Sequence, residues 1–110
     1  MLQTNNDIDF HLAIEILIEE VIEQLEKDIH SAGEHYTFKS IKTEELVNEL
    51  EKYLSKIDLG QRLDNLLYRI DVDLKKIDPK LSHYNALSIA IWNREFQKVW
   101  IRKTFKIGSK

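Results

Sequence analysis

The stretch 78–106, DPKLSHYNALSIAIWNREFQKVWIRKTFK, contains both tryptophans of the chain and its densest mixture of aromatic and basic residues. Its first two residues favour a helix start. An Asp side chain accepts hydrogen bonds from the free amides of a first turn, and Pro has no amide hydrogen to leave unpaired. After Pro79 no Gly or Pro interrupts the stretch. The pattern predicts one helix of about seven to eight turns, ending near Gly108.

Two stripes follow this predicted helix when successive residues are placed about 100° apart. The apolar stripe, which we expect in the core, comprises Leu81, Tyr84, Leu87, Ser88, Ile91, Trp92, Phe96, Val99 and, at its edge, Trp100. The basic stripe recurs every four residues and comprises Arg94, Lys98, Arg102 and Lys106. Ile101 and Phe105 belong to neither stripe. A helix buried on one side only would therefore leave both of them in water.

The N-terminal part predicts a long first helix, from a cap at Asn6 or Asp7 to about His30, with Gly33 as its terminator. Its main apolar stripe comprises Ile14, Leu17, Ile18, Val21, Leu25 and Ile29. A second apolar stripe, on another face, comprises Ile8, Leu12 and Ile16. The acidic row between them comprises Glu15, Glu19, Glu23 and Glu26. Apolar residues on two faces indicate burial by more than one neighbour, from the same chain or from a partner.

Two shorter helices are predicted in the middle of the chain. The second helix has Thr43 as its cap and an apolar face of Leu46, Val47, Leu50, Tyr53, Leu54 and Ile57. The third has Asp58 as its cap and a buried side of Leu59, Leu63, Leu66, Leu67 and Ile70. We expect 35–42 to be a loop and 71–77 a link with at most one helical turn. The sequence therefore predicts an all-α fold, either a four-helix antiparallel bundle or an irregular four-helix array with a long C-terminal helix.

Length and composition narrow the class of protein. A chain of 110 residues fits a single helical domain spanning 1–110, with residues 1–6 expected to be disordered. The absence of cysteine excludes disulfides and thiolate chemistry and fits a reducing compartment. The N-terminus lacks the pattern of a signal peptide, and glutamates interrupt the apolar stretch 12–22. We therefore expect a soluble, cytoplasmic protein with no transmembrane association.

Charge is distributed unevenly along the chain. The net charge is −3, but residues 1–58 carry 14 acidic and 5 basic side chains, whereas residues 59–110 carry 5 acidic and 11 basic ones. The favoured explanation is that acidic and basic helices pack side by side and neutralise one another. The alternative is that the basic half forms a binding region.

Sequence motifs for catalysis or for metal binding are lacking. Neither the Glu-x-x-His pairs of di-iron bundles nor the His-Glu-x-x-His zinc motif occurs. The four histidines are scattered, and the three glycines are too isolated to form a phosphate-binding loop. We therefore expect no enzymatic activity, no metal and no cofactor.

Two functional hypotheses remain, and the favoured one is a self-associating protein–protein interaction domain, a homodimer or the binder of a partner protein. Its candidate interaction surface comprises Ile8, Leu12, Ile16, Arg94, Lys98, Ile101, Arg102 and Phe105. The alternative is a nucleic-acid-binding protein that uses the basic, aromatic segment 94–106, or a helix-turn-helix formed by the second and third helices. A pI near 5.8 argues against nucleic acid. A membrane-surface role for the last helix ranks third.

Overall fold

A computed structural model of the chain describes residues 4–77 and 83–108, with side chains at 15–75, 77 and 83–104. The helices are α1 (Thr4–Ser31), α2 (Thr43–Ile57), α3 (Arg62–Ile70) and α4 (His83–Gly108). One 3₁₀ turn, Leu74–Lys76, lies in the link before α4. No strand occurs in the described residues. The predicted all-α class, with four helices and a long C-terminal one, is confirmed.

Two helices end with the same backbone motif. After α1, the Gly33 amide donates to the His30 carbonyl at 3.0 Å and the Glu34 amide donates to the Ile29 carbonyl at 3.1 Å. Gly33 has a φ of 89°, so the predicted glycine terminator is confirmed. Helix α3 ends in the same way at Asp71, which has a φ of 66°. That conformation is unfavourable for a residue with a side chain.

The start of α2 differs from the prediction by one residue. Thr43 is the first helical residue, and Lys42 before it has extended backbone angles. The Lys42 carbonyl already accepts the Leu46 amide at 2.8 Å, so Lys42, and not Thr43, holds the capping position. The prediction of Thr43 as the cap was wrong.

The start of α3 differs more. The helix begins at Arg62, because the chain first makes a turn through Gly60, whose φ is 59°. Leu59 is 64 % exposed in that turn, and Asp58 accepts a hydrogen bond from the Tyr84 hydroxyl at 2.7 Å. The predictions that Asp58 caps α3 and that Leu59 is buried were both wrong. A left-handed glycine two residues later is incompatible with a helix that starts at Asp58.

The start of α1 also differs from the prediction. The helix already includes Thr4, so the predicted cap at Asn6 or Asp7 was wrong. The segment 34–41 has no regular secondary structure, as predicted for most of it. The predicted start of the last helix at Asp78 and Pro79 lies outside the described residues.

A single apolar core joins the four helices. Its buried members are Val21, Leu25, Ile29, Phe38, Leu46, Leu50, Tyr53, Leu54, Ile57, Leu63, Leu66, Leu67, Ile70, Leu87, Ile91, Trp92 and Val99. Most of them belong to the predicted apolar stripes, at the three- and four-residue spacing that puts side chains on one helix face. Burial of each large aliphatic side chain stabilises the fold by roughly 1.5–3 kcal/mol.

Helices α1 and α4 are antiparallel. Lys98 Nζ lies 2.7 Å from Asp28 Oδ2, and Lys103 Nζ lies 2.9 Å from Glu20 Oε1, so later residues of α4 meet earlier residues of α1. Helix α2 packs most extensively on α4, and Asn85 near the start of α4 donates to Glu51 at 3.3 Å. At 1.5 Å per residue, α1 and α4 are about 40 Å long, whereas α2 and α3 are about 22 and 14 Å long. The short helices therefore cannot cover the full length of the long pair.

Candidate functional site

The uncovered end of the α1–α4 pair forms what we call the helical arm, residues 15–20 of α1 and 100–104 of α4. None of these eleven side chains is buried. Among the described side chains, burial on α1 begins at Val21 and burial on α4 ends at Val99. The Lys103–Glu20 ion pair joins the α1 and α4 segments of the arm. The arm is therefore the end of the long pair where burial is incomplete, although Leu17 and Ile18 still pack against the edge of the core.

Large apolar side chains of the arm are exposed to solvent. Ile16 is 54 % exposed, Trp100 is 57 % exposed and Ile101 is 44 % exposed. A shallow groove of about 290 Å³ lies between the helices and is lined by Ile16, Leu17, Trp100 and Lys103. An exposed apolar cluster with a charged rim is typical of a protein interaction surface.

The arm contains two of the apolar residues that the sequence assigned to the candidate surface. Ile16 and Ile101 both lie on it, and both are exposed. Ile8, Leu12 and Phe105 lie on the same two helices, but their side chains are outside the described ones. The Trp100 side chain adds more exposed apolar area, although the sequence suggested that it would lie at the edge of the core.

Three members of the basic stripe of α4 bind groups of the same chain, and the fourth, Lys106, lies outside the described side chains. Arg94 donates to the Asp71 carbonyl at 3.0 Å and to the Asp71 carboxylate at 3.2 Å. Lys98 donates to Asp28 at 2.7 Å, and Arg102 donates to the Gln24 side-chain oxygen at 2.8 Å. These contacts tie the stripe to α1 and to the end of α3.

The acidic row of α1 does not supply those partners. Glu15, Glu19 and Glu23 are exposed, and Glu26 accepts the Phe38 amide of the following loop at 2.8 Å. The sequence suggested that this row and the basic stripe could meet within one chain or across a dimer. Within the described residues the basic stripe meets Asp28, Gln24 and Asp71, because the row and the stripe lie on different faces of the pair.

Most of the aromatic and basic residues that the nucleic-acid hypothesis requires are buried or bound to other groups of the chain. Trp92 is buried in the core, and the basic stripe makes the internal contacts described above. In the suggested helix-turn-helix, Arg62 forms an ion pair with Glu34, at 2.6 Å between Nη2 and Oε1. Its hydrogen bond lowers the pKa of Glu34 below the usual value, against a smaller effect of burial. Trp100 is the aromatic side chain of segment 94–104 that is more than half exposed.

Glu95 on α4 is a feature that the sequence analysis missed. Its side chain is fully buried, and within the described part of the chain neither of its oxygens has a hydrogen-bond partner of good geometry. Lys98 Nζ lies 3.1 Å from Glu95 Oε1 as well as 2.7 Å from Asp28 Oδ2. A signal was present in the sequence, because Glu95 lies midway between Ile91 and Val99 at four-residue spacing, on the face assigned to the core.

The pKa values of Glu95 and of the neighbouring Asp28 are shifted in opposite directions, although both carboxyls are shielded from water. Burial, followed by the adjacent Asp28 carboxylate, raises the pKa of Glu95 to about 8, and Lys98 opposes the rise. Burial also acts to raise the pKa of Asp28, but hydrogen bonds with Glu95, Lys98 and Gln24 outweigh it and lower that pKa. The two directions favour a pair that holds one proton, with Glu95 as the neutral acid and Asp28 as the anion.

A second missed carboxylate is Glu49 on α2, which binds the loop between α1 and α2. It accepts hydrogen bonds from the Tyr36 and Ser40 hydroxyls and from the amides of Lys39 and Ser40. Burial opposes ionisation, but these donors together lower the pKa of Glu49. Burial, followed by the hydrogen bond to Glu49, raises the pKa of Tyr36 to about 12. The arrangement is structural, since it satisfies the backbone of a loop that has no regular structure.

Two further kinds of site were sought in the described part of the chain. Among the side chains at 15–75, 77 and 83–104, no three His, Asp or Glu groups converge as a metal site would require. Within residues 4–77 and 83–108 no helix has both the length and the hydrophobicity needed to cross a bilayer.

Comparison with protein-family models, with curated proteins and with solved structures finds no match for this chain.

Proposed function

We propose that this chain is a non-enzymatic helical interaction domain that self-associates through the helical arm. The observation that supports it is the exposed apolar cluster of Ile16, Trp100 and Ile101 on two helices that extend beyond the core. Water is an unfavourable environment for such a cluster. A second copy of the chain is the occupant that we propose for it.

The surface area of the chain is consistent with this proposal. A compact monomer of 13.1 kDa exposes about 6,400 Å², whereas this chain exposes 8039 Å². Its radius of gyration is 15.5 Å, compared with about 13 Å for a compact domain of this length. The additional surface is about twice the roughly 800 Å² that each partner loses in an interface of standard size. One dimer contact of that size would therefore bury about half of it.

Symmetry and charge favour a second copy over an unrelated partner. Two antiparallel helices that pack on the same two helices of another copy form a four-helix bundle about a two-fold axis. The arm also has both signs of charge, since Glu15 and Glu19 of α1 are exposed and Arg102 and Lys103 lie on α4. A two-fold axis that places α1 of one copy beside α4 of the other brings acidic side chains toward basic ones, which sets register more than affinity. The lack of cysteine fits our further proposal of a cytoplasmic location.

Solution mass measured by size-exclusion chromatography with light scattering tests the proposal. We expect about twice 13.1 kDa for the wild type, at both low and high salt, because the contact is apolar. The double variant Ile16→Glu/Ile101→Glu should be a monomer with unchanged helical circular dichroism. The matched control is Ile41→Glu/Leu59→Glu, which alters two apolar side chains that are still more exposed and lie away from the arm, and it should remain a dimer.

Two results would contradict self-association through the arm. One is a wild-type chain that stays monomeric at every concentration tested. The other is an Ile16→Glu/Ile101→Glu variant that keeps the dimer mass, which would locate the contact elsewhere. Salt-sensitive binding of labelled DNA or RNA by a monomeric wild type would instead support the nucleic-acid hypothesis.

A further inference from the structure

The base of the helical arm contains a buried group that packing alone does not explain. Glu95 is fully buried on α4, and Asp28 of α1 and Lys98 of α4 lie beside it. The side chains of Asp28 and Lys98 are 13 % and 21 % exposed. Two carboxyls and one ammonium therefore share a space with little water, where the two long helices cross.

The stability of this cluster depends on whether its two carboxyls hold one proton or none. If both carboxyls ionise, the cluster has a net negative charge in a poorly solvated place, which is costly. An ionised Glu95 can only accept hydrogen bonds, and within the described residues no well-aligned donor reaches its oxygens. A neutral Glu95 has an O–H that can donate to Asp28, and Asp28 and Lys98 then balance each other in charge.

We propose that Glu95, Asp28 and Lys98 form a proton-operated clasp between α1 and α4 at the base of the helical arm. The clasp is closed while Glu95 holds its proton and loosens when Glu95 loses it. This inference concerns the folded chain itself and does not depend on whether the arm forms a dimer.

The neighbouring helices bring no further charge to the clasp. Among the described residues, the buried side chains of α2 and α3 are apolar except for the Tyr53 phenol. On α4, Arg94 is engaged with Asp71 and Arg102 with Gln24. The charged groups that act on Glu95 are therefore Asp28, which favours its neutral form, and Lys98, which favours its ionised form.

Linkage gives the direction of the pH effect. The pKa of Glu95 is about 8 in the folded chain and has an ordinary value of 4.5. Between these values the folded chain binds the proton and the unfolded chain does not, so stability falls as the pH rises through this window. The unfolding equilibrium constant should rise by up to about tenfold per pH unit and become level above the folded pKa.

Carboxyl carbon NMR of the full-length chain, labelled with ¹³C at glutamate, measures the titration directly. Glu95 is assigned by the signal that is missing from Glu95→Gln. We expect that signal to titrate near pH 8. A Glu95 midpoint close to the ordinary glutamate value would overturn the proposal.

Two further variants distinguish a clasp from burial alone. In Asp28→Asn the Glu95 midpoint should fall, because the adjacent anion is gone. In Lys98→Met it should rise, because the compensating cation is gone. Shifts in opposite directions require all three groups to be coupled, and unchanged midpoints in both variants would contradict the proposal.

Urea unfolding at pH 5.5, 7 and 8.5 tests the consequence for stability. The wild type should become less stable across this range, and Glu95→Gln should lose most of that dependence. Glu23→Gln, the same change at an exposed position of α1, is the control and should retain the wild-type profile. A wild-type profile in Glu95→Gln would show that some other group is responsible.

Discussion

The loop region around Glu49 and the helix crossing around Glu95 both contain a shielded carboxyl, but the two are held in opposite ways. Four donors from the loop converge on Glu49. Glu95 is more deeply buried, and in the described residues no aligned donor reaches it. Burial acts to raise the pKa of both groups, yet the pKa of Glu49 is lowered and that of Glu95 is raised to about 8.

The difference shows that the supply of donors, and not burial alone, decides the charge of a shielded carboxyl. The loop backbone has free amides that need acceptors, so the loop stabilises the ionised form of Glu49. Helix backbone has already used its amides within the helix, so the crossing of α1 and α4 offers Glu95 only side-chain partners. One region therefore stabilises an anion, and the other stabilises a neutral acid.

The largest loss of stability is expected when the loop region loses the Glu49 carboxylate that accepts its hydrogen bonds. Glu49→Ala leaves the Lys39 and Ser40 amides and the Tyr36 hydroxyl without their partner. We expect the free energy of unfolding at pH 7 to fall by about 2–4 kcal/mol, measured by urea denaturation. A loss below about 0.5 kcal/mol would mean that water replaces the carboxylate at no cost.

Replacing Glu49 and Glu95, each in turn, by Gln compares the two sites most directly. At pH 8.5, Glu49→Gln should destabilise the fold by about 1–2 kcal/mol, because a neutral amide accepts hydrogen bonds less strongly than a carboxylate. Glu95→Gln should be neutral or stabilising at that pH, since it removes a buried charge. Paired unfolding curves test this, and equal signs would remove the distinction between the two regions.

The two sites should limit stability at opposite ends of the pH range. The lowered pKa of Glu49 gives stability that is lost as the pH falls through its folded value, below its ordinary 4.5. The raised pKa of Glu95 gives stability that is lost as the pH rises toward about 8. Thermal unfolding across this range should show a maximum near pH 5. Glu49→Gln should weaken only the acid limb and Glu95→Gln only the alkaline limb.

The smallest effect is expected from one donor of the loop region. Ser40→Ala removes the hydroxyl that lies 2.7 Å from Glu49 Oε1 but leaves the Ser40 amide in place. We expect a loss of about 0.5–1 kcal/mol in urea denaturation, typical of a single hydrogen bond. A loss as large as that of Glu49→Ala would indicate that the donors act as one cooperative unit.

The sequence predicted the helices better than their ends. Periodic apolar residues such as Leu46, Leu50 and Leu54 identified the buried face of α2, because side-chain spacing on a helix is a local property. The cap at Asp58 was wrong, since Gly60 can adopt either a helical or a left-handed conformation, and contacts with the rest of the chain decide between them. The hydrogen bond from Tyr84, 26 residues away, is one such contact.

The interaction surface was predictable only in part. Ile16 and Ile101 stood out because they fell outside the core stripes, and both are exposed on the arm. Trp100 was assigned to the edge of the core, and its exposure depends on where α2 and α3 stop covering the long helices. Glu95 was overlooked because a charged residue on an apolar face is usually at its rim.

Composition and spacing within a few turns were enough to predict the all-α class, the number of helices and the faces they bury. The pairing of charges could be seen only in the folded chain. Lys98 is 70 residues from Asp28 along the chain, and no local pattern encodes the angle and register at which α1 and α4 cross. The packing of α1 against α4 leaves the arm exposed and buries Glu95 beside Asp28. As a result Glu95, unlike the exposed glutamates, is stabilised in its protonated form.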